Sequence, residues 1–190
     1  MNSAARVLEN ESALVVRAQA SPAAFAPIYD HYFPRVYTYV RYRILDRATA
    51  DDLTAQIFER VLGGIPSYRP ERAPFGAWLF AIARNTVNDY LRALRRRRWL
   101  SFERLADHPS PDPPPEVVVA RRAIRRKLLE AVAHLNERDR DLIALKFSAG
   151  LNNRRIAEMM GMSESNVGVS LYRAMQKLRQ HLRGEEESHE

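Results

Sequence analysis

The chain has 190 residues, 46% of them hydrophobic, which suffices for one ordinary domain or two small ones. Its 30 Lys and Arg against 23 Asp and Glu give a formal net charge of +7, and guanidinium groups that pair bidentately with phosphate make a polyanion the expected partner. The absence of cysteine excludes a disulfide framework, a thiol nucleophile and cysteine-ligated zinc.

The first nineteen residues read as an N-terminal extension. They contain acidic residues and only a short apolar run, Ala13 to Val16, which excludes a secretory signal and a membrane span. The expectation is a soluble, cytoplasmic protein with no membrane insertion. From Ala23 to about Arg98 the apolar residues recur three and four apart, as in Phe25, Ile28, Tyr29, Tyr32 and then Leu53, Ile57, Val61, so helices are predicted. Pro34 interrupts them little. A break falls at Asp46 to Asp51, after which Thr49 is placed to cap a helix with an acidic first turn. Glycine and proline in "GGIPSYRPERAP" bar a helix interior, and a new helix starts near Phe75.

In "RNTVNDYLRALRRRRW" the residues Arg84, Asn85, Asn88, Asp89 and Arg92 gather on one helix face, opposite Ile82, Val87, Leu91 and Leu94. Arg95 to Arg98 extend the basic face. Such a helix can lie along a phosphate backbone and offer amides to bases, and the nearby rings of Tyr68, Phe75, Trp78, Phe80 and Tyr90 suit stacking by single strands, although they serve a core equally well. The prolines of "LADHPSPDPPPEV" then enforce an extended linker. At about 3 Å per residue, roughly ten residues would hold two domains about 30 Å apart.

Beyond it, "VVVARRAIRRKLLEAVAHL", "ERDRDLIALKFSAG" and "IAEMMGMSESNVGVSLYRAMQKLR" predict four or so helices, followed by the acidic tail "GEEESHE". Asn152 is a candidate cap, Gly161 supplies the positive φ of a sharp turn, and Ser163 caps the next helix. Ile156, Met160, Met162, Val167 and Leu171 would form the small core of a helix-turn-helix, flanked by Arg154, Arg155 and Arg173. The predicted fold class is therefore all-α: two small helical domains on a flexible Pro-rich linker, the second with a helix-turn-helix.

Three blocks in order make the pattern specific. "ADDLTAQIFERV", "FGAWLFAIARNTVNDYLRALRRRR" and "ERDRDLIALKFSAGLNNRRIAEMMGMSESNVGVSLYRAMQKLR" resemble the polymerase-binding, −10-reading and −35-reading segments of bacterial RNA polymerase sigma factors of the sigma-70 family, extracytoplasmic-function (ECF, group 4) type. The resemblance covers about residues 20 to 183. It implies that residues 20–98 are sigma region 2, 99–117 a linker, 118–183 region 4 and 184–190 a tail. It implies core RNA polymerase as partner, with Asp51, Asp52, Leu53, Gln56, Phe58 and Arg60 on the β′ clamp helices. A groove around Leu142, Leu145, Phe147 and Leu178 would meet the β flap. Gln56 stands where an acidic residue is usual.

Promoter DNA is the second implied partner, single-stranded at −10 and duplex at −35. The loop Ile65 to Pro74 with Tyr68 matches the loop that captures a flipped base, and Asn85 matches a residue lining its pocket. Arg84, Asn88, Arg92, Arg95 and Arg96 complete the −10 set. Arg154, Arg155, Ser165, Asn166, Gly168, Val169, Ser170, Tyr172 and Arg173 form the −35 set. An anti-sigma factor is a further partner common in this group. No cofactor is expected. A stand-alone helix-turn-helix regulator is the alternative, and an enzyme such as a nuclease is disfavoured: His31, His108, His134, His181 and His189 lie in separate segments without metal-ligand spacing, and no phosphate loop or nucleophile motif is present.

Overall fold

A computed structural model describes residue 8, residues 10–100 and residues 119–187, with side chains placed for 10–97 and 124–183 within the latter two segments. The linker from Leu105 to Glu116 and the last three residues lie outside the described residues. All regular structure among the described residues is helical.

Helix α1 spans Glu11–Ala20, and a 3₁₀ turn leads into α2, Ala26–Arg43, which continues through Pro34. Helix α3, Arg47–Gly64, begins earlier than the Thr49 cap would place it. Asp46 is the N-cap, its Oδ2 accepting from the Thr49 N–H at 2.7 Å, because it is the last residue with extended backbone before Arg47 and Ala48 enter the helix. A second 3₁₀ turn, Ile65–Ser67, opens the loop to α4, Phe75–Leu100. Helices α2, α3 and α4 pack around Ile28, Val36, Ile57, Val61, Leu79 and Phe80, all fully buried. Tyr29, from the same periodic set, is instead partly exposed.

Four α-helices follow, as the sequence predicts: α5 Val119–Ala133, α6 Glu137–Ile143, α7 Asn153–Met160 and α8 Glu164–Glu187, with a π-turn at Ala144–Ser148 after α6. The tail expected from 184 continues α8 as far as Glu187. Leu142, Leu145, Ile156 and Val167 form the buried centre; Met160 and Met162 are half-buried at its edge.

The expected separation of about 30 Å between the two halves is not what the structure shows. Helix α2 packs against α5, α6 and the π-turn. Arg35 donates to the carbonyls of Ser148 at 3.3 Å and Ala149 at 2.5 Å. Asp141 is 3% exposed; it accepts from the Tyr39 hydroxyl at 2.9 Å, pairs with Arg43, and receives Arg84 Nε at 2.8 Å. A buried carboxylate must be paired and hydrogen-bonded to be tolerated, and here its partners come from the other half of the chain. The length of a connecting segment sets only the largest reach of two domains, and complementary surfaces bring them together within it.

Candidate nucleic-acid interface

Helix α4 presents Asn85, Arg92, Arg95 and Arg96 to solvent. Its other polar residues are engaged within the protein. Besides its bond to Asp141, Arg84 donates from Nη1 to the Met159 carbonyl at 2.8 Å, and Asn88 Oδ1 accepts from Arg43 Nη2 at 2.9 Å. Asp89 pairs with Arg92 and lies 3.9 Å from Arg60 Nη1, while Arg95 reaches Glu137 at 3.2 Å. Arg84 and Arg95 thus hold the C-terminal half, and the exposed groups on this face that do not hold it include Asn85, Arg92, which pairs with Asp89, and Arg96. The Arg98 side chain lies outside the described residues.

Tyr68 is placed differently from a stacking platform. Its ring is only 5% exposed, edge-on to Phe75 at 5.3 Å and 5.1 Å from Trp78, and its hydroxyl donates to the Ala73 carbonyl at 2.9 Å. In this conformation it closes the loop from within. Burial and neighbouring carboxylates raise its phenol above the ordinary value. The loop exposes Pro66, Ser67, its tip from Arg69 to Arg72, and Pro74.

On α3, Asp51, Asp52, Gln56 and Arg60 are exposed, whereas Leu53 and Phe58 are buried. Phe58 lies 4.6 Å from Tyr29 and 6.1 Å from Phe33, and Phe33 stacks on Tyr37 at 5.9 Å. Tyr29, Phe33 and Tyr37 form an aromatic stripe against α3, with Tyr37 beside the Asp51 carboxylate. Their spacing of four was visible in the sequence, but the same spacing is equally a core pattern. No local pattern signals the Asp141 cluster, whose partners are 57 to 102 residues away.

Helices α7 and α8 form the helix-turn-helix. Asn152 Oδ1 accepts from Arg155 N at 2.9 Å, Gly161 takes φ 65°, and Ser163 Oγ accepts from Asn166 N at 3.2 Å. These three local choices fix the turn. Arg154, Ser165, Asn166, Val169, Tyr172 and Arg173 are exposed, and Arg155, Gly168 and Ser170 are half-buried. Arg155 donates to Glu158 at 2.7 Å and Arg154 at 3.4 Å, which holds the Glu158 carboxyl below its usual range and offsets part of their charge. Tyr172 is 64% exposed, and its hydroxyl accepts from Gln176 at 2.9 Å. In the predicted groove Leu142, Leu145 and Leu178 are buried core, and only Phe147, 58% exposed, faces out. Among the described residues there is no group of three or more His, Asp and Glu placed to hold a metal, and no helix is long and apolar enough to cross a membrane.

Residues 28–97 match the family description Sigma-70 region 2 and residues 125–178 match Sigma-70, region 4. The chain is 37% identical over 175 residues to the ECF RNA polymerase sigma factor BldN of Streptomyces coelicolor, covering 92% of this chain and 65% of that protein. It is 32% identical over 180 residues to the ECF RNA polymerase sigma factor ShbA of Streptomyces griseus, covering 88% of this chain and 92% of that one. Among solved structures, CnrH in complex with the cytosolic domain of CnrY is similar at a TM-score of 0.65 and 22% identity, covering 90% of this chain and 96% of CnrH. The sigma factor RpoE of Bartonella quintana, solved with the anti-sigma factor NepR, has a TM-score of 0.66 at 20% identity over 84% of this chain and 96% of its own. With its two regions matched and ShbA alike over nearly its whole length, the chain belongs to the sigma-70 family as an ECF-type RNA polymerase sigma factor.

Proposed function

We propose that this protein binds core RNA polymerase and directs promoter recognition and DNA opening in the cytoplasm, with no covalent step of its own. One observation carries the reading. A single chain joins exposed carboxylates on α3, an amide and arginines on α4, and a helix-turn-helix exposing Ser165, Asn166, Val169, Tyr172 and Arg173. Docking, strand capture and duplex reading therefore each have a surface. Asp51, Asp52, Gln56 and Arg60 meet the β′ clamp helices, with Leu53 and Phe58 shaping the helix from beneath. The Phe147 face meets the β flap.

The −35 set on α7 and α8 enters duplex DNA, while Asn85, Arg92, Arg96 and the 65–74 loop hold the unstacked −10 strand. Arg84 joins them once its contacts with Asp141 and the Met159 carbonyl are released, Arg95 once it leaves Glu137, and Asn88 once it leaves Arg43. Reading an extruded base needs an amide and positive charge against the backbone, and α4 exposes both. An anti-sigma factor that restrains this step is the remaining partner. The test is transcription in vitro from a randomised duplex promoter pool, with purified core enzyme and this protein. Enrichment of promoters that depend on it is expected. Core that is active with another sigma factor but yields no transcript with this one overturns the reading, as does tight duplex binding by the isolated chain.

A further inference from the structure

We propose that Gln19, on α1, is a positioning residue for the loop that captures the −10 strand, a role that rests on the sigma-factor reading above. Helix α1 precedes the 28–97 segment matched to region 2, so that match assigns it no task. The side-chain nitrogen of Gln19 donates to the carbonyls of Ile65 at 3.1 Å and Tyr68 at 3.0 Å. A primary amide has two N–H donors, and both are directed at the first turn of the loop.

The loop has reason to need them. Pro66, Pro70 and Pro74 contribute no N–H, so the backbone has few donors with which to fix itself. Its internal backbone bonds are two, Tyr68 N to Ile65 O and Arg72 N to Arg69 O, both at 3.1 Å; the Tyr68 hydroxyl donates to Ala73 O, Ser67 Oγ to Gly64 O, and the exposed Arg69 guanidinium to the carbonyls of Pro66 and Tyr68. Gln19 clamps the start of this ring and Tyr68 ties it to the end. The tip, Arg69 to Arg72, is left exposed between the two fixings.

Helix α1 is seated firmly enough to act as the fixed side. Val15 and Ala18 are buried, and at its other end Glu11 accepts from the Tyr32 hydroxyl at 2.5 Å. Tyr32 in turn lies edge-on to Phe75 at 5.6 Å, the first residue of α4. Gly76 keeps room for that phenol, since a Cβ there would come 3.0 Å from its oxygen. The helix therefore braces the loop from one end and the start of α4 from the other. A pocket for a single base works only if its walls are held within about 0.5 Å, and a proline-rich loop cannot supply that rigidity alone.

The experiment compares the full-length protein with Gln19→Ala and with Gln19→Glu, which keeps the shape but faces a carboxylate to two carbonyl oxygens. The probes are a promoter selected from the randomised pool by wild-type holoenzyme and the same duplex with its −10 segment scrambled. Both variants are expected to bind core enzyme as wild type does. Preference for the intact over the scrambled −10 should fall about tenfold in Gln19→Ala, the size expected for two lost hydrogen bonds, and further in Gln19→Glu. In the free protein, hydrogen exchange at the Tyr68 and Arg72 amides should accelerate about as much, with α2 to α4 unchanged. Unaltered −10 preference, or a parallel loss of core binding and preference, overturns the proposal. If wild-type holoenzyme selects no promoter the sigma reading itself fails, and unaltered exchange at the two amides then still sinks the brace.

Discussion

Asp46 illustrates how much one side chain settles locally. It caps α3 through the Thr49 N–H, and that bond holds its carboxyl below the ordinary value of 3.8. Because the folded value lies below the unfolded one, the capping stabilisation is fully present above the unfolded value and is lost as pH falls through the lower folded value. Asp46→Ala should cost about 1 kcal/mol in urea unfolding at pH 7 and flatten the acid limb of stability below about pH 4. Equal losses at pH 7 and pH 2 would contradict the cap. The caps at Asn152 and Ser163 and the turn at Gly161 were legible for the same reason: a cap bond spans three residues, so its partners sit in one short window. Thr49 lies inside the helix because Asp46, three residues earlier, competes for the cap and has the extended backbone.

At the scale of elements, α4 and its loop separate what a face offers from what it hides. The sequence pattern gathers Arg84, Asn85, Asn88 and Arg92 on one side, but only tertiary packing consigns Arg84 and Asn88 to internal bonds. Asn85→Ala should therefore impair open-complex formation, measured by permanganate footprinting, and leave core binding unchanged. Tyr68→Ala should behave otherwise. Emptying a buried aromatic site costs about 3 kcal/mol or more, so the variant should lower the unfolding midpoint along with every activity, and wild-type stability would show that the ring does not pack as described. On α8 the exposed residues proposed to meet the −35 element include one arginine, Arg173, beside Ser165, Asn166, Val169 and Tyr172. Arg173→Ala in the holoenzyme should weaken −35 binding and reduce the slope of log affinity against log salt by about 1. An unchanged slope would remove Arg173 from the phosphate contacts. A helix so sparsely charged can serve register and selectivity when polymerase and a second domain supply the remaining affinity.

For the whole molecule the deciding group is Asp141. It binds Tyr39, Arg43 and Arg84 across the two halves, and burial together with the Asp141 charge pushes the Tyr39 phenol well above its ordinary value. The halves share this cluster and the Arg35 bonds to the end of the π-turn. Removing the carboxylate leaves a buried Arg43 without its counter-ion, a loss that costs about 3–5 kcal/mol if the contact stays closed. Separation of the halves returns that cation to water at lower cost. Asp141→Ala should thus increase the radius of gyration in small-angle scattering and speed holoenzyme formation, because Arg84 no longer has to be withdrawn. A variant as compact as wild type and equally slow would show that the cluster does not hold the halves together.

The all-α class, the helix-turn-helix, the basic face of α4 and the family are legible from the residues alone. Each of these is written in periodicity, in caps within one turn, or in motifs that stay contiguous along the chain. Tertiary structure alone decided that the halves meet, that Tyr68 closes its loop from inside, that Arg84 answers to Asp141, and that α1 grips the loop through Gln19. Those contacts join residues 46 to 114 positions apart, or a ring to the core around it. Hydrophobic period and cap chemistry carry no information about which distant surface a polar group will face, because that depends on how the packed helices bring their polar residues together.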